Sequence, residues 1–277
     1  MTTPDTLAPE ASGPRHPLRL ALWQQPGLCG QPDAMLDRLA ALLASGTLAE
    51  VDLLLLPELW TSGYLDADAV TAASEPADGP WQQRIAALAR DHGIAIAHGY
   101  PELAQGKRYN TARLIDAQGE TLWSYRKVNL WADYERALFA PGDSPSAIAT
   151  LHGWRIGASI CYDTEYPETV RDLALRGADL VLAPAAVGAE FALVAEAVIR
   201  VRALENGLWL AFANRSGSEH GYPFDGQSAI VGPDGVVRAR ATTDEALLLV
   251  TLDHAATQAA RATGPYLSDM RWAPPRL

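Results

Sequence analysis

The sequence predicts a layered α/β fold, and three observations carry that prediction. Apolar runs of strand length alternate with segments of helical periodicity. Several runs are apolar without a break, and no linker, charge run or low-complexity stretch divides residues 18–277. An uninterrupted apolar strand is buried on both faces, which favours a sheet covered by helices over a solvent-facing hairpin. A chain of 277 residues is long enough for one large core. The expected organisation is therefore a flexible leader over 1–17, mixing Pro, Gly, Ser and Thr, then a single domain over 18–277.

The elements follow in order. LRLALWQ (Leu18–Gln24) reads as a buried strand, and residues 34–46 carry apolar side chains at helical spacing with a closing glycine. VDLLLLPE (51–58) is a continuous apolar strand ended by Pro57. A helix over 81–92 leads to a strand over 94–100. YNTARLID and ETLWSYRK alternate on either side of a turn at 117–119, as a hairpin does. WRIGASICYD (154–163) is a further strand, followed by a helix over 168–176 and the strand ADLVLAPA (178–185). A long helix over 189–206, closed by Gly207, leads to LWLAFAN (208–214). The end is strand-rich, with a hairpin in 228–241 around 233–235 and a last strand over 245–253. VDLLLLPE and ADLVLAPA resemble each other, as a duplicated unit or as two ordinary buried strands.

The charge balance narrows the function classes. With 33 acidic against 22 basic residues the formal charge is -11, which repels phosphate backbones and anionic membranes unless a local basic patch exists, and no such patch is visible. Neither nucleic acid nor membrane is an expected partner. Two cysteines, Cys29 and Cys161, cannot build a disulfide framework or a thiolate zinc cluster, and no signal peptide is apparent, so a reducing cytoplasmic setting is expected. Among 22 basic residues only Lys107 and Lys127 are lysines.

Catalytic groups of such sheets sit just beyond strand ends. Glu58, Lys127 and Cys161 all do. Each also has a plain structural reading: Cys161 as a small buried hydrophobe, Glu58 as a solvated strand-end carboxylate, Lys127 as a surface lysine and Glu135 as part of a polar loop. The six histidines, 16, 92, 98, 152, 220 and 254, lack metal-ligand spacing and read as structural or surface residues, so no metal and no cofactor is expected.

The text around these residues is more specific. LLLPELWTSGY (54–64), YRKVNLW with the following Glu135, and ICYDTEYPETVRDLALRGADL (160–180) resemble the three signature segments of the nitrilase superfamily, the carbon-nitrogen hydrolases. The resemblance runs from about residue 18 to about residue 270. It takes in FAPG (139–142), R-A-x-E-N (202–206), Asn214, G-x-S-x-I-x-x-P-x-G (226–235) and PYLSDMR (265–271), which looks like the family's closing strand and tail.

That resemblance implies a four-layer αββα sandwich, assembled as a homodimer or higher homo-oligomer. It also implies roles: Cys161 as nucleophile, Glu58 as general base, Lys127 as catalytic lysine and Glu135 as support for the lysine and the substrate. The closest texture is that of aliphatic amidases such as 5-aminopentanamidase and of stereoselective amidases. The implied reaction is hydrolysis of a small aliphatic or amino-acid-derived primary amide to carboxylate and ammonia through a cysteine thioester. Alternatives are N-carbamoyl amine hydrolysis or nitrilase activity on the same fold, or, in a different class, a non-catalytic scaffold. The backbone N–H of Tyr162 is the expected second oxyanion donor, beside Lys127. Val187 stands where many members place an asparagine, which removes one side-chain hydrogen bond to a substrate. Phe191, Tyr64, Trp131 and the Tyr162 side chain suggest a partly aromatic pocket, though each also reads as core.

Overall fold

The computed structural model describes residues 16–144 and 147–271. Of the expected leader only His16 and Pro17 fall within them. In chain order the strands are β1 (Leu18–Gln24), β2 (Leu53–Leu55), β3 (Ala95–Ala104), β4 (Lys107–Ile115), β5 (Thr121–Arg126), β6 (Ile148–Leu151), β7 (Trp154–Ala158), β8 (Leu180–Pro184), β9 (Trp209–Ala213), β10 (Ser218–Glu219), β11 (Tyr222–Pro223), β12 (Ala229–Val231), β13 (Val237–Arg240) and β14 (Ala246–Leu252). The helices are α1 (Pro32–Ala44), α2 (Ala67–Ala72), α3 (Pro80–His92), α4 (Ala132–Leu138), α5 (Tyr162–Glu165), α6 (Pro167–Leu175), α7 (Ile199–Asn206), α8 (His254–Thr263) and α9 (Tyr266–Asp269).

One six-stranded sheet has the order β14-β1-β2-β3-β4-β5 and a second the order β13-β12-β9-β8-β7-β6, with β10-β11 a separate ladder. In the first sheet β1, β2 and β3 are parallel, flanked by antiparallel pairings to β4, β5 and β14. The second repeats the pattern: β7, β8 and β9 are parallel, and β12, β13 and β6 pair antiparallel. The similar stretches VDLLLLPE and ADLVLAPA become β2 and β8, the middle strand of each parallel trio.

Period-two alternation builds the layers. Ala21, Trp23 and Leu54 meet Met35, Leu36 and Leu39 of α1 and Ile85 and Ala89 of α3. Their neighbours Leu20, Leu22, Leu53 and Leu55 face the other way, into a core shared with β7, β8 and β9. Val170 and Leu173 of α6 and Ile199 and Ala203 of α7 pack onto the second sheet. The layers are therefore αββα. Strand β2 is only three residues long, and all three leucines are wholly buried. At roughly 1.5–3 kcal/mol per buried leucine, apolar burial anchors it more firmly than its short ladder does.

Several elements depart from expectation. The strand over 154–163 is shorter than expected: β7 ends at Ala158, the N–H groups of Ser159 and Cys161 still donate to Leu182 O and Pro184 O of β8, and at Cys161 a φ of 47° turns the chain out of extended geometry. The helix expected over 168–176 forms as α6, while the short helix α5 was not expected; Pro167 separates the two by holding Tyr166 extended at φ -83°, ψ 117°. The single helix over 189–206 is instead a 3-10 turn (Ala189–Phe191), a π turn (Val194–Val198) and α7. Residues leaving β8 are pinned first, since Val187 N–H donates to Asn214 Oδ1 at 2.7 Å, so regular winding starts late. PYLSDMR closes the described chain with the helix α9 and not with a strand. Strand β3 continues to Ala104 and turns back through Gln105 and Gly106, at φ 52° and 74°, into β4. That pair of positive φ values suits the twist of a tight hairpin.

Candidate active site

Strand ends deliver the reactive groups to one place. Pro57 ends β2 and hands over to Glu58. Lys127 follows β5 directly, and its N–H donates to Asn110 O of β4 at 2.8 Å. Cys161 lies three residues past β7, with its N–H on Pro184 O, the end of β8, at 2.9 Å. Glu135 comes from α4, an element the sequence did not suggest, whose first residue Ala132 has φ 52°. Leu59, beside Glu58, has φ 47°. Three non-glycine residues in the left-handed region thus stand at or next to the reactive groups, which is where folded chains tend to hold such strain.

The side chains form a closed polar cluster. Lys127 Nζ donates to Glu58 Oε1 at 2.8 Å and to Glu135 Oε1 at 2.7 Å, and all three side chains are wholly buried. Asn110 Nδ2 donates to Glu58 Oε1 at 2.7 Å. Tyr64 OH donates to Glu135 Oε1 at 2.8 Å, and Trp131 N–H to Glu135 Oε2 at 2.6 Å. Among the described residues Glu58 Oε2 has no hydrogen-bond partner. An ammonium between two carboxylates fills the place a cation would take, so the cluster is built for proton and thiol chemistry.

Burial and charge compete at each group. Burial pushes the Glu58 carboxyl up, Lys127 opposes this, Glu135 adds to it, and the net shift is upward. Burial disfavours the Lys127 ammonium, but Glu58 and Glu135 outweigh it and hold the lysine well above its ordinary value. Burial raises the Cys161 thiol well above the ordinary range, with Glu58 adding and Lys127 opposing. Cys161 therefore rests as a thiol. Cys29, the other cysteine, is pushed up to about 11 by burial, with Glu219 and Asp66 adding.

The residues expected to line a pocket fall into groups. The Tyr64 ring meets Phe224 edge-on at 6.3 Å, and Trp131 and Phe191 meet edge-on at 6.0 Å. The Tyr162 ring packs on Tyr166 at 5.1 Å, apart from those pairs. Tyr162 opens α5, so its backbone N–H is one of the donors a helix leaves without an internal partner. Val187 is held by its backbone: Asn214 accepts its N–H and Nδ2 donates to its carbonyl at 3.2 Å.

Sequence reasoning missed the groups that hold this site from behind. Arg215 is buried, and its Nε donates to Glu58 O at 3.0 Å while its other nitrogens reach Leu59 O and Glu219 Oε1. Glu219 Oε2 accepts from the N–H groups of Tyr64 and Leu65 at 2.7 and 2.8 Å. Asp163 accepts from Tyr125 OH at 2.9 Å and from Asn129 N–H and Nδ2 at 2.8 Å, tying the loop after Lys127 to the helix after Cys161. None of these lies in an arrangement that spacing reveals. The one visible signal was an acidic residue two positions past Cys161. The histidines lie outside the cluster: His98 is buried on Gln82, its pKa lowered to about 3 by burial, and His254 faces Asp179.

Residues 19–262 match the carbon-nitrogen hydrolase family. A protein of Pseudomonas protegens named "Hydrolase in pqqF 5'region" is 44% identical over 256 residues, covering 92% of this chain and 89% of the relative. An (R)-stereoselective amidase of a Pseudomonas species is 34% identical over 255 residues, covering 92% of each chain. Among solved structures, a double mutant of the amidase from Nesterenkonia sp. AN1 in complex with acrylamide superposes with a TM-score of 0.83 at 34% identity, covering 96% of this chain and 97% of that one. A variant of that amidase carries the acetamide moiety of fluoroacetamide covalently on its active-site cysteine.

Proposed function

The chain belongs to the carbon-nitrogen hydrolase family, and from that membership and the cluster's geometry we propose that it hydrolyses a small primary amide to carboxylate and ammonia. The observation that carries the proposal is the wholly buried Lys127 ammonium, shared between Glu58 and Glu135 beside the buried thiol of Cys161, with one Glu58 oxygen left without a partner among the described residues. Amidase relatives with high coverage support it.

Glu58 Oε2 takes the thiol proton as Cys161 Sγ bonds to the amide carbon, and the carbonyl electron pair moves onto oxygen. The Lys127 ammonium and the Tyr162 N–H stabilise that oxyanion, each such donor being worth roughly 2.7–4 kcal/mol in a preorganised site. As the oxyanion collapses, the C–N bond breaks and Glu58 returns its proton to the leaving nitrogen, releasing ammonia and a thioester. A water then loses a proton to Glu58, attacks the thioester, and expels the cysteine sulfur, which regains the proton as carboxylic acid departs. Glu135, fixed by Tyr64 and Trp131, keeps the ammonium aimed.

The substrate is proposed to be a small aliphatic or amino-acid-derived amide, received by Tyr64, Trp131, Val187 and Phe191. No metal or other cofactor enters these steps. We place the reaction in the cytoplasm, where two unpaired cysteines persist. Among the described residues no helix is long and apolar enough to cross a membrane. Self-association is proposed through Leu193, Val201, Leu204 and Val236, which are exposed on and beside α7.

The test offers panels of primary amides, N-carbamoyl amines and nitriles, identifies products by mass spectrometry, and traps the acyl group on the protein. The expected result is ammonia and carboxylate from amides, with the acyl adduct on Cys161 and no release by Cys161→Ala. Turnover confined to carbamoyl compounds or nitriles overturns the amide assignment. Unchanged release by Cys161→Ala overturns the mechanism.

A further inference from the structure

Among the described residues, a set of metal-ligating side chains outside the buried Glu58–Lys127–Glu135 cluster converges from distant parts of the chain. Cys29 lies in the loop after β1, Asp66 caps α2, and His220 sits in the turn between β10 and β11. A thiol sulfur, a carboxylate oxygen and an imidazole nitrogen from these three lie within 4.8 Å of one another. We propose that they form a binding site for a zinc-class divalent cation, with three protein ligands and a fourth position open to water.

The donor set selects the ion class. One thiolate, one imidazole and one carboxylate suit zinc or cobalt, whereas magnesium and calcium demand oxygen ligands throughout. The geometry is near what such an ion needs. Bonds of roughly 2.0–2.3 Å in a tetrahedron place ligand atoms about 3.3–3.8 Å apart. His220 Nε2 and Asp66 Oδ2 already stand 3.2 Å apart, so the sulfur has on the order of 1 Å to close. The His220 side chain is 63% exposed, so a metal ion can reach it from solvent.

The surroundings favour occupancy. Asp66 Oδ1 accepts from Ala69 N–H at 2.9 Å, which fixes the carboxylate and leaves Oδ2 to face His220. Gly63, at φ 88°, lets the chain pass against Cys29, since a Cβ there would come within 2.8 Å of Sγ. The charged neighbours are Glu219, Asp66 and Arg215, two carboxylates against one guanidinium, and Glu219 is already engaged by Arg215 and by the amides of Tyr64 and Leu65. On binding, the Cys29 thiol releases its proton to solvent and the sulfur lone pair bonds the cation. The bound ion joins the segment Tyr64 to Asp66 to Glu219 and His220, reinforcing the same link that presents Tyr64 to Glu135.

The test uses the full chain carrying Cys161→Ala, so that Cys29 is the remaining thiol, and titrates cobalt(II) alone. One equivalent is expected to bind with thiolate-to-cobalt charge-transfer absorption, and zinc(II) is expected to raise the Tm. Adding Cys29→Ser should abolish the absorption. Adding Asp66→Asn or His220→Asn should weaken binding tenfold or more; asparagine tolerates the φ of 50° at position 220, and far-ultraviolet dichroism checks that the fold is kept. Absence of the absorption from Cys161→Ala overturns the site. So does binding that Asp66→Asn and His220→Asn leave unchanged, since the thiol would then hold the metal by itself.

Discussion

At Glu58, burial and Coulomb attraction pull in opposite directions, and burial wins. The consequence is kinetic. In the proposed mechanism Glu58 must be ionised to accept the thiol proton, so activity is expected to be lost as pH falls through its raised pKa. The acid limb of kcat/KM is therefore expected above the ordinary glutamate range near 4.3, measurable from a pH profile on any turned-over amide. An acid limb at or below that value would contradict the assignment of Glu58 as base. Lys127 makes a second prediction. Its single ammonium bridges Glu58 and Glu135 at 2.8 and 2.7 Å, and a longer planar guanidinium cannot occupy that point. Lys127→Arg should reduce kcat by at least about 10²-fold despite keeping the charge, and Lys127→Met by as much or more, read by ammonia release. Glu58, Lys127, Glu135 and Cys161 could be named from their flanking text. Asn110, Arg215 and Glu219 could not, because their roles arise from partners 52, 157 and 155 residues away.

Among the elements, the short strand β2 carries more than its length suggests, because the chain just past it must turn sharply at Leu59 to present Glu58. Gly99 of β3 makes room for that turn: a Cβ at position 99 would lie 2.4 Å from Leu59 N and 2.8 Å from Glu58 Cα, both backbone atoms that cannot swing aside. Gly99→Ala is expected to cost about 1–3 kcal/mol in a urea titration and to lower kcat, since the backbone carrying the base must shift. A variant with unaltered midpoint and rate would show that the turn relaxes freely. Apolar runs and their periodicity located the main strands and the helices α1 and α3. Helix α4 escaped because the one residue it buries fully is Glu135, so it has no buried apolar stripe to read.

For the molecule as a whole, the two sheets repeat one pattern of three parallel strands with antiparallel neighbours, and the two similar apolar runs lie at matching places in it. The sheets bury their shared faces fully, while Leu193 and Leu204 stay 66% and 42% exposed near the surface of α7. If that face joins two copies, light scattering should report a dimer or larger assembly. Leu204→Arg should then drive it toward monomer with little loss of secondary structure. A wild-type monomer at high concentration would refute the proposed interface. The acidic balance that excluded nucleic acid as an expected partner has no counterpart in the site, where charge is local and nearly self-neutralised.

The layered α/β architecture and the candidate site residues were legible in the order of neighbouring residues, since burial pattern and local motif are both properties of short stretches of chain. The company those side chains keep emerges only once the chain is folded. Whether Glu58 is a solvated carboxylate or a buried base, whether Lys127 is free or shared, and whether Cys29, Asp66 and His220 ever meet all depend on contacts between distant segments. Electrostatic interactions act through space and strengthen as water is excluded, so their outcome is set by folding distance and not by spacing along the chain.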